Sequence, residues 1–131
     1  MSTSVKGALV GMRVVDLTRV LAGPQCTQIL ADQGAHVIKV EPPMGDETRK
    51  LGPPFDDAGQ AAYFSALNRG KQAISLDLSN ADAQEVLHRL LADADVLVEN
   101  FLPRTMERWG LGYESVLATR YPRLVYFSIS G

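Results

Sequence analysis

The chain has 131 residues, 46% of them hydrophobic and 21% charged, which is the size and composition of one globular domain with enough apolar material for a core. With 13 basic against 15 acidic residues the formal net charge is −2, so no global excess points to nucleic acid or to an anionic membrane. A single cysteine, Cys26, excludes an internal disulfide framework and a CxxC metal pair, so the expected setting is a reducing cytoplasm and no metal is expected.

The first 11 residues carry one Lys and no long apolar run, and nowhere are there about 18 consecutive apolar residues, so neither a signal peptide nor a membrane span is expected. Five short runs rich in Val, Ile, Leu or aromatics read as strands: Arg13 to Leu17, His36 to Val40, Ala73 to Leu78, Asp95 to Glu99 and Leu124 to Ser130. Their alternation with amphipathic segments predicts an α/β fold, a mostly parallel sheet with helices on both faces.

Between the first two strands, Gly23-Pro24 predicts a helix start with Pro at the first helical position, and Gly34 a stop. Cys26, Ile29 and Leu30 supply its expected apolar face. A long loop follows from Glu41 to Gln60, broken by four prolines and three glycines. Ser79 or Asn80 caps a helix over Ala81 to Ala92 that buries Val86, Leu87, Leu90 and Leu91. A short helix is expected from Pro103 to before Gly110, and a turn or two from Glu114 to Thr119. An apolar strand that runs straight into Gly131 predicts an incomplete domain or half of an assembly.

In open parallel sheets ligands bind beyond the carboxyl ends of the strands. The loops there supply Arg19, Arg49, Arg104 and Arg108, with Asn100 as a neutral hydrogen bonder and Phe101 as an aromatic face. Arginines suit phosphates and flat apolar surfaces suit purines, although any one of these arginines reads equally well as a solvated surface charge. The first strand leads into Thr18-Arg19-Val20-Leu21-Ala22-Gly23-Pro24, which lacks the glycine turn of a dinucleotide site.

Catalytic residues do not stand out. Cys26 reads as a packed, inert thiol, and His36 and His88 lack an acid partner at useful spacing. Asp16, Glu41, Asp46, Glu47 and Asp77 are placed to cap, bridge or face solvent. No catalytic residue is assigned.

The segments VDLTRVLAGPQCTQILADQGAHVIKVEPPMGDETR, GPPF, LNRGKQAISLDLSN, ADVLVENFLPRTMERWGLGYE and PRLVYFSISG, in that order, resemble the N-terminal part of the family III CoA transferases, the group named for carnitine and bile-acid CoA enzymes. The resemblance covers the chain after Lys6. It implies that residues 1–131 are the N-terminal part of a Rossmann-like large domain, in much longer two-domain subunits that interlock as a homodimer. The implied ligands are coenzyme A, as an acyl-CoA, and a small carboxylic acid, with dicarboxylic acids favoured.

Residue by residue, Val20 and Leu21 match the first CoA-contacting loop, and Leu76, Asp77, Leu78 and Ser79 match a stretch beside the adenosine end. Asn100 and Phe101 match a pair that lines the CoA site, Arg108 matches a basic residue near the phosphates, and Arg49 matches a neighbour of the active site. Leu21 stands where formyl-CoA transferases carry Gln, and Pro42 replaces a basic residue of some members.

In relatives a carboxylate attacks the acyl thioester, forms a mixed anhydride and exchanges CoA through an enzyme-bound thioester. The resemblance implies that this aspartate lies beyond Gly131, so the chain alone is expected to be inactive. The α-methylacyl-CoA racemase branch, and a non-catalytic binding or assembly module from a split α/β protein, are the alternatives.

Overall fold

The computed structural model describes residues 6–130. Five parallel strands form one sheet in the order β3-β2-β1-β4-β5: β1 Arg13–Asp16, β2 His36–Glu41, β3 Gln72–Ser75, β4 Val96–Glu99 and β5 Val125–Ser128. Three helices of at least seven residues connect them, α1 Ala22–Asp32, α2 Ala62–Asn68 and α3 Ala81–Ala92, joined by the short α4 Thr105–Arg108 and α5 Ala118–Arg120.

Side chains alternate across a strand, so each strand feeds two cores. On one face Val15, Leu17, Val40 and Leu97 pack with Leu87 and Leu91 of α3 and with Met106, Leu111 and Leu117. On the other, Val14, Val37 and Val98 pack with Ala35, Leu30 and Ala31 beside α1. The expected α/β fold with helices on both faces is therefore present, with every strand pairing parallel.

The differences from expectation have local causes. The strand expected over Ala73 to Leu78 ends at Ser75, because Asp77 Oδ1 accepts hydrogen bonds from the Ser79 amide and hydroxyl and turns the chain. Helix α1 starts at Ala22, ahead of Pro24, and its buried residues are Gly23, Pro24, Thr27 and Gln28, whereas Ile29 is 52% exposed. The helix expected from Pro103 starts only at Thr105, since Arg104 adopts the left-handed φ of 66°.

The π-helical turn Tyr113–Leu117 runs into α5 where one or two turns were expected. Helix α2 has no side-chain cap and is short, so it carries little sequence signal. The long loop contains one regular piece, a 3-10 turn at Glu47–Lys50 capped by Asp46, whose Oδ1 accepts from the Thr48 amide.

Candidate functional site

The sheet order reverses between β1 and β4, which opens a crevice at their carboxyl ends. Two clefts meet there and share Arg19, Phe101 and Trp109. The smaller, ≈ 90 Å³, is lined further by Leu76, Asp77 and Leu78. The larger, ≈ 290 Å³, adds Val20, Asn100 and Glu47.

Six of the nine residues nominated from sequence thus line two adjoining clefts. Leu21, Ser79 and Arg108 line neither. Leu21 is 46% exposed beside the first loop, and Arg108 points a guanidinium nitrogen at Thr105 Oγ1, 2.9 Å away.

Phe101 is the hinge between the clefts. Its ring meets Trp109 edge-on, centroids 5.2 Å apart, and the Arg19 guanidinium lies 5.2 Å from its centroid on another side. Its amide donates to Glu99 Oε2, while the Tyr126 hydroxyl donates to Glu99 Oε1. Burial and the Glu99 carboxylate together push the Tyr126 phenol far above its ordinary range. A wider cleft of ≈ 580 Å³ continues past Phe101 towards Arg104, Tyr113 and Tyr126.

The Asn100 amide is engaged with main chain, one Nδ2 hydrogen and one Oδ1 lone pair being left over. Its Oδ1 accepts from the Arg19 amide at 2.9 Å and its Nδ2 donates to the Arg19 carbonyl at 2.8 Å. The next residue, Val20, has φ 69°, a left-handed conformation that a β-branched side chain rarely adopts.

Beneath these loops lies an ionic layer that was not anticipated from sequence. The buried Lys39 Nζ donates to the Thr18 carbonyl at 2.7 Å and sits 2.9 Å from Asp46 Oδ2. Asp46 Oδ2 finds no other partner, so this is an ion contact on which the carboxylate oxygen depends. Alongside, Lys71 Nζ reaches Asp16 Oδ2, the Pro24 carbonyl, Thr27 Oγ1 and Asn68 Oδ1 within 3.1 Å.

Burial pushes the Lys71 ammonium down, against the opposing pull of Asp16. Burial also pushes the Asp46 carboxyl up, but hydrogen bonds from Thr48 and the Lys39 charge more than offset it and hold it below the usual range. One signal for the layer was available: Lys39 interrupts the apolar run HVIKVE, and a lysine inside a buried strand requires a partner.

Arg49 is occupied rather than available. Its Nε and one terminal nitrogen donate to Glu41 at 2.8 and 2.6 Å, the other reaches Gln60 Oε1, and the guanidinium covers the Phe64 ring at 3.8 Å. Glu41, pushed up by burial and pulled down further by Arg49 and the Asp46 amide, is held below the usual carboxylate range. The remaining buried carboxylates are similarly engaged, so none stands free as a nucleophile. Burial raises the half-buried Cys26 thiol, with Asp16 adding to the effect, and His36 and His88 hydrogen-bond to Gln72 and Tyr121.

Among the described residues no group of three or more His, Cys, Asp or Glu is placed to hold a metal ion, and no helix is long and apolar enough to cross a membrane.

Comparison with known proteins agrees with this geometry. A CaiB/BaiF family protein of Brucella suis superposes with a TM-score of 0.91 at 50% identity, covering 96% of this chain and 34% of that one. The succinyl-CoA:mesaconate CoA-transferase of Haloarcula hispanica is 49% identical over 95% of this chain and 32% of its own length. The succinate–glutarate CoA-transferase of Agrobacterium fabrum is 48% identical over 96% of this chain and 33% of its own. The chain thus spans about a third of the length of the curated relatives it matches. Residues 9–131 match the profile of CoA-transferase family III, and the chain belongs to that family.

Proposed function

We propose that the chain forms the coenzyme A-binding segment of an acyl-CoA:carboxylate CoA-transferase. The observation that carries this reading is the pair of clefts meeting at Phe101, which joins Val20, Leu76, Asp77, Leu78 and Asn100 at the sheet's order reversal. Phe101, Trp109, Leu76 and Leu78 offer flat and apolar surface to a purine, and Arg19 supplies a cation at the junction for a phosphate. Arg104, at the wider cleft, and Arg108, outside all three clefts, are more distant cations.

Relatives named for succinyl-CoA with mesaconate, succinate with glutarate, and acetyl-CoA with oxalate favour a small dicarboxylic acid as the second substrate. The homodimer implied by the resemblance and the cytoplasmic setting expected from the single cysteine belong to the same reading. Every buried carboxylate being engaged, the role of these residues is to bind and orient the thioester's carrier, and the attacking carboxylate comes from elsewhere in the enzyme.

Calorimetric titration with CoA and with NAD tests the reading. Saturable CoA binding, weakened at least tenfold by Phe101→Ala, is the expected result. Binding of NAD without CoA would overturn it.

A further inference from the structure

The strongest unexplained feature is how Asn100 and Phe101 hold Arg19. Asn100 pairs with both main-chain groups of Arg19, one as acceptor and one as donor, and Phe101 receives the Arg19 side chain on its ring. The contact spans 81 residues of sequence and bridges the loops after β1 and β4. It therefore ties together the two loops between which the strand order reverses.

Val20, the residue after the clamp, is the one non-glycine residue besides Arg104 with a positive φ among the described residues. Such a backbone persists only where its surroundings over-determine it. From below, Lys39 holds the Thr18 carbonyl; from the side, Asn100 holds both polar groups of Arg19; beyond, Gly23 packs against Thr18 so closely that a Cβ there would lie 2.2 Å from Thr18 Cβ. Between these anchors Val20 has little freedom, and its side chain, 41% exposed, is turned onto the cleft that also contains Phe101.

We infer that Asn100 is a positioning residue: its side-chain amide clamps the Arg19 main chain and so holds Val20 in the left-handed conformation that shapes the ligand cleft. The inference rests on the coenzyme A reading for its purpose, but the clamp is observable without any ligand. An amide is required because it donates and accepts at once. An aspartate carboxylate would accept from the Arg19 amide and repel the Arg19 carbonyl; once protonated, it would restore the donor.

Amide exchange and backbone carbon shifts, measured by NMR on the chain and on Asn100→Asp and Asn100→Ala, form the first arm of the test. In Asn100→Ala the Arg19 amide should lose protection and Val20 should leave the left-handed shift range; in Asn100→Asp near neutral pH, where the carboxylate still accepts from that amide, Val20 should leave that range. In Asn100→Asp the Val20 shifts should return as pH falls towards about 4, where an aspartate protonates. The second arm is CoA affinity, expected to fall about tenfold in Asn100→Asp near neutral pH, with the ratio to the unsubstituted chain narrowing on acidification.

Taking that ratio at each pH cancels whatever is common to the two proteins, the CoA phosphates included; the charged groups that face this loop are Asp16, Arg19, Lys39, Asp46, Glu47 and Glu99. An unmoved Arg19 and Val20 in both variants would overturn the clamp. A loosened Val20 with undiminished CoA affinity would overturn its role in shaping the site. Absence of CoA binding by the unsubstituted chain would instead remove the coenzyme reading, and with it the clamp's purpose, while the first arm still decides whether the clamp exists.

Discussion

The two faces of this sheet are built from the same three central strands, β2, β1 and β4, and do different work. The α3 face is mostly hydrocarbon, with Val15, Leu17, Val40 and Leu97 meeting Leu87 and Leu91, and only Glu99, bonded to Tyr126, brings a buried charge to its carboxyl end. The α1 face begins the same way with Val14, Val37 and Val98, then turns ionic at the carboxyl ends, where Asp16 and Lys39 stand in register. Hydrocarbon is non-directional and holds strands together; an ion pair with its hydrogen bonds is directional and costs desolvation, but it sets where a backbone lies. The ionic end lies directly under the loops of the candidate site. Most of the hydrocarbon packing and most of the ionic anchoring of these loops thus fall on opposite faces.

Removing one member of the buried pair is the harshest way to break this division. Lys39→Met should lower unfolding free energy by about 4 kcal/mol, because Asp46 Oδ2 and the Thr18 carbonyl lose their partner. Adding Asp46→Asn, which keeps the cap on Thr48, should recover most of that loss in denaturant titrations. A single variant as stable as the parent would mean that the ionic layer is ornamental.

On the hydrocarbon face, Leu97→Ala should cost about 3 kcal/mol through lost burial and a residual cavity, with CoA affinity per folded molecule unchanged. A parallel loss of affinity would show that the faces are not separable.

Thr27→Val tests the ionic layer without changing side-chain volume much. Thr27 Oγ1 donates to Asp16 Oδ2 and accepts from Lys71 Nζ, so its removal should cost about 2 kcal/mol by thermal or chemical unfolding. Gly23→Ala should cost about 1 kcal/mol: a Cβ would overlap Thr18, and this outweighs the better helix propensity of alanine. Equal or greater stability in Gly23→Ala would show that the loop yields more readily than the close contact suggests.

The gentlest probe is acid. Glu41 and Asp46 both have folded pKa values below their unfolded ones, so the stability they contribute is complete above the ordinary carboxylate range and is lost as pH falls through the folded values. Unfolding midpoints measured from neutral pH downward should decline only in that acidic window. Glu41→Gln should flatten the decline.

The sequence revealed the hydrocarbon half well and the ionic half poorly. All five strands and helix α3 follow from runs such as VLVE and from Asn80 before an amphipathic repeat, since apolar periodicity is a local property. The face of α1 expected from Cys26, Ile29 and Leu30 differs from the buried one because Asp16 and a lysine 44 residues away, Lys71, make a buried Thr27 favourable there. Arg49 read as a site residue for the converse reason: its partners Glu41 and Gln60 are apparent only when the long loop folds back over α2.

Composition, strand periodicity and family motifs were sufficient for the α/β class and the parallel sheet, because each depends on neighbours within a few residues or on the order of segments. Which nominated residues share a cleft, that Asn100 holds a main chain, and that Lys39 and Lys71 anchor the loops from beneath were decided by the sheet order. That order brings residues 19 and 100, and 16 and 71, into hydrogen-bond contact. A buried polar group is stable only with its partner in place, and partners this far apart in sequence are chosen by tertiary packing.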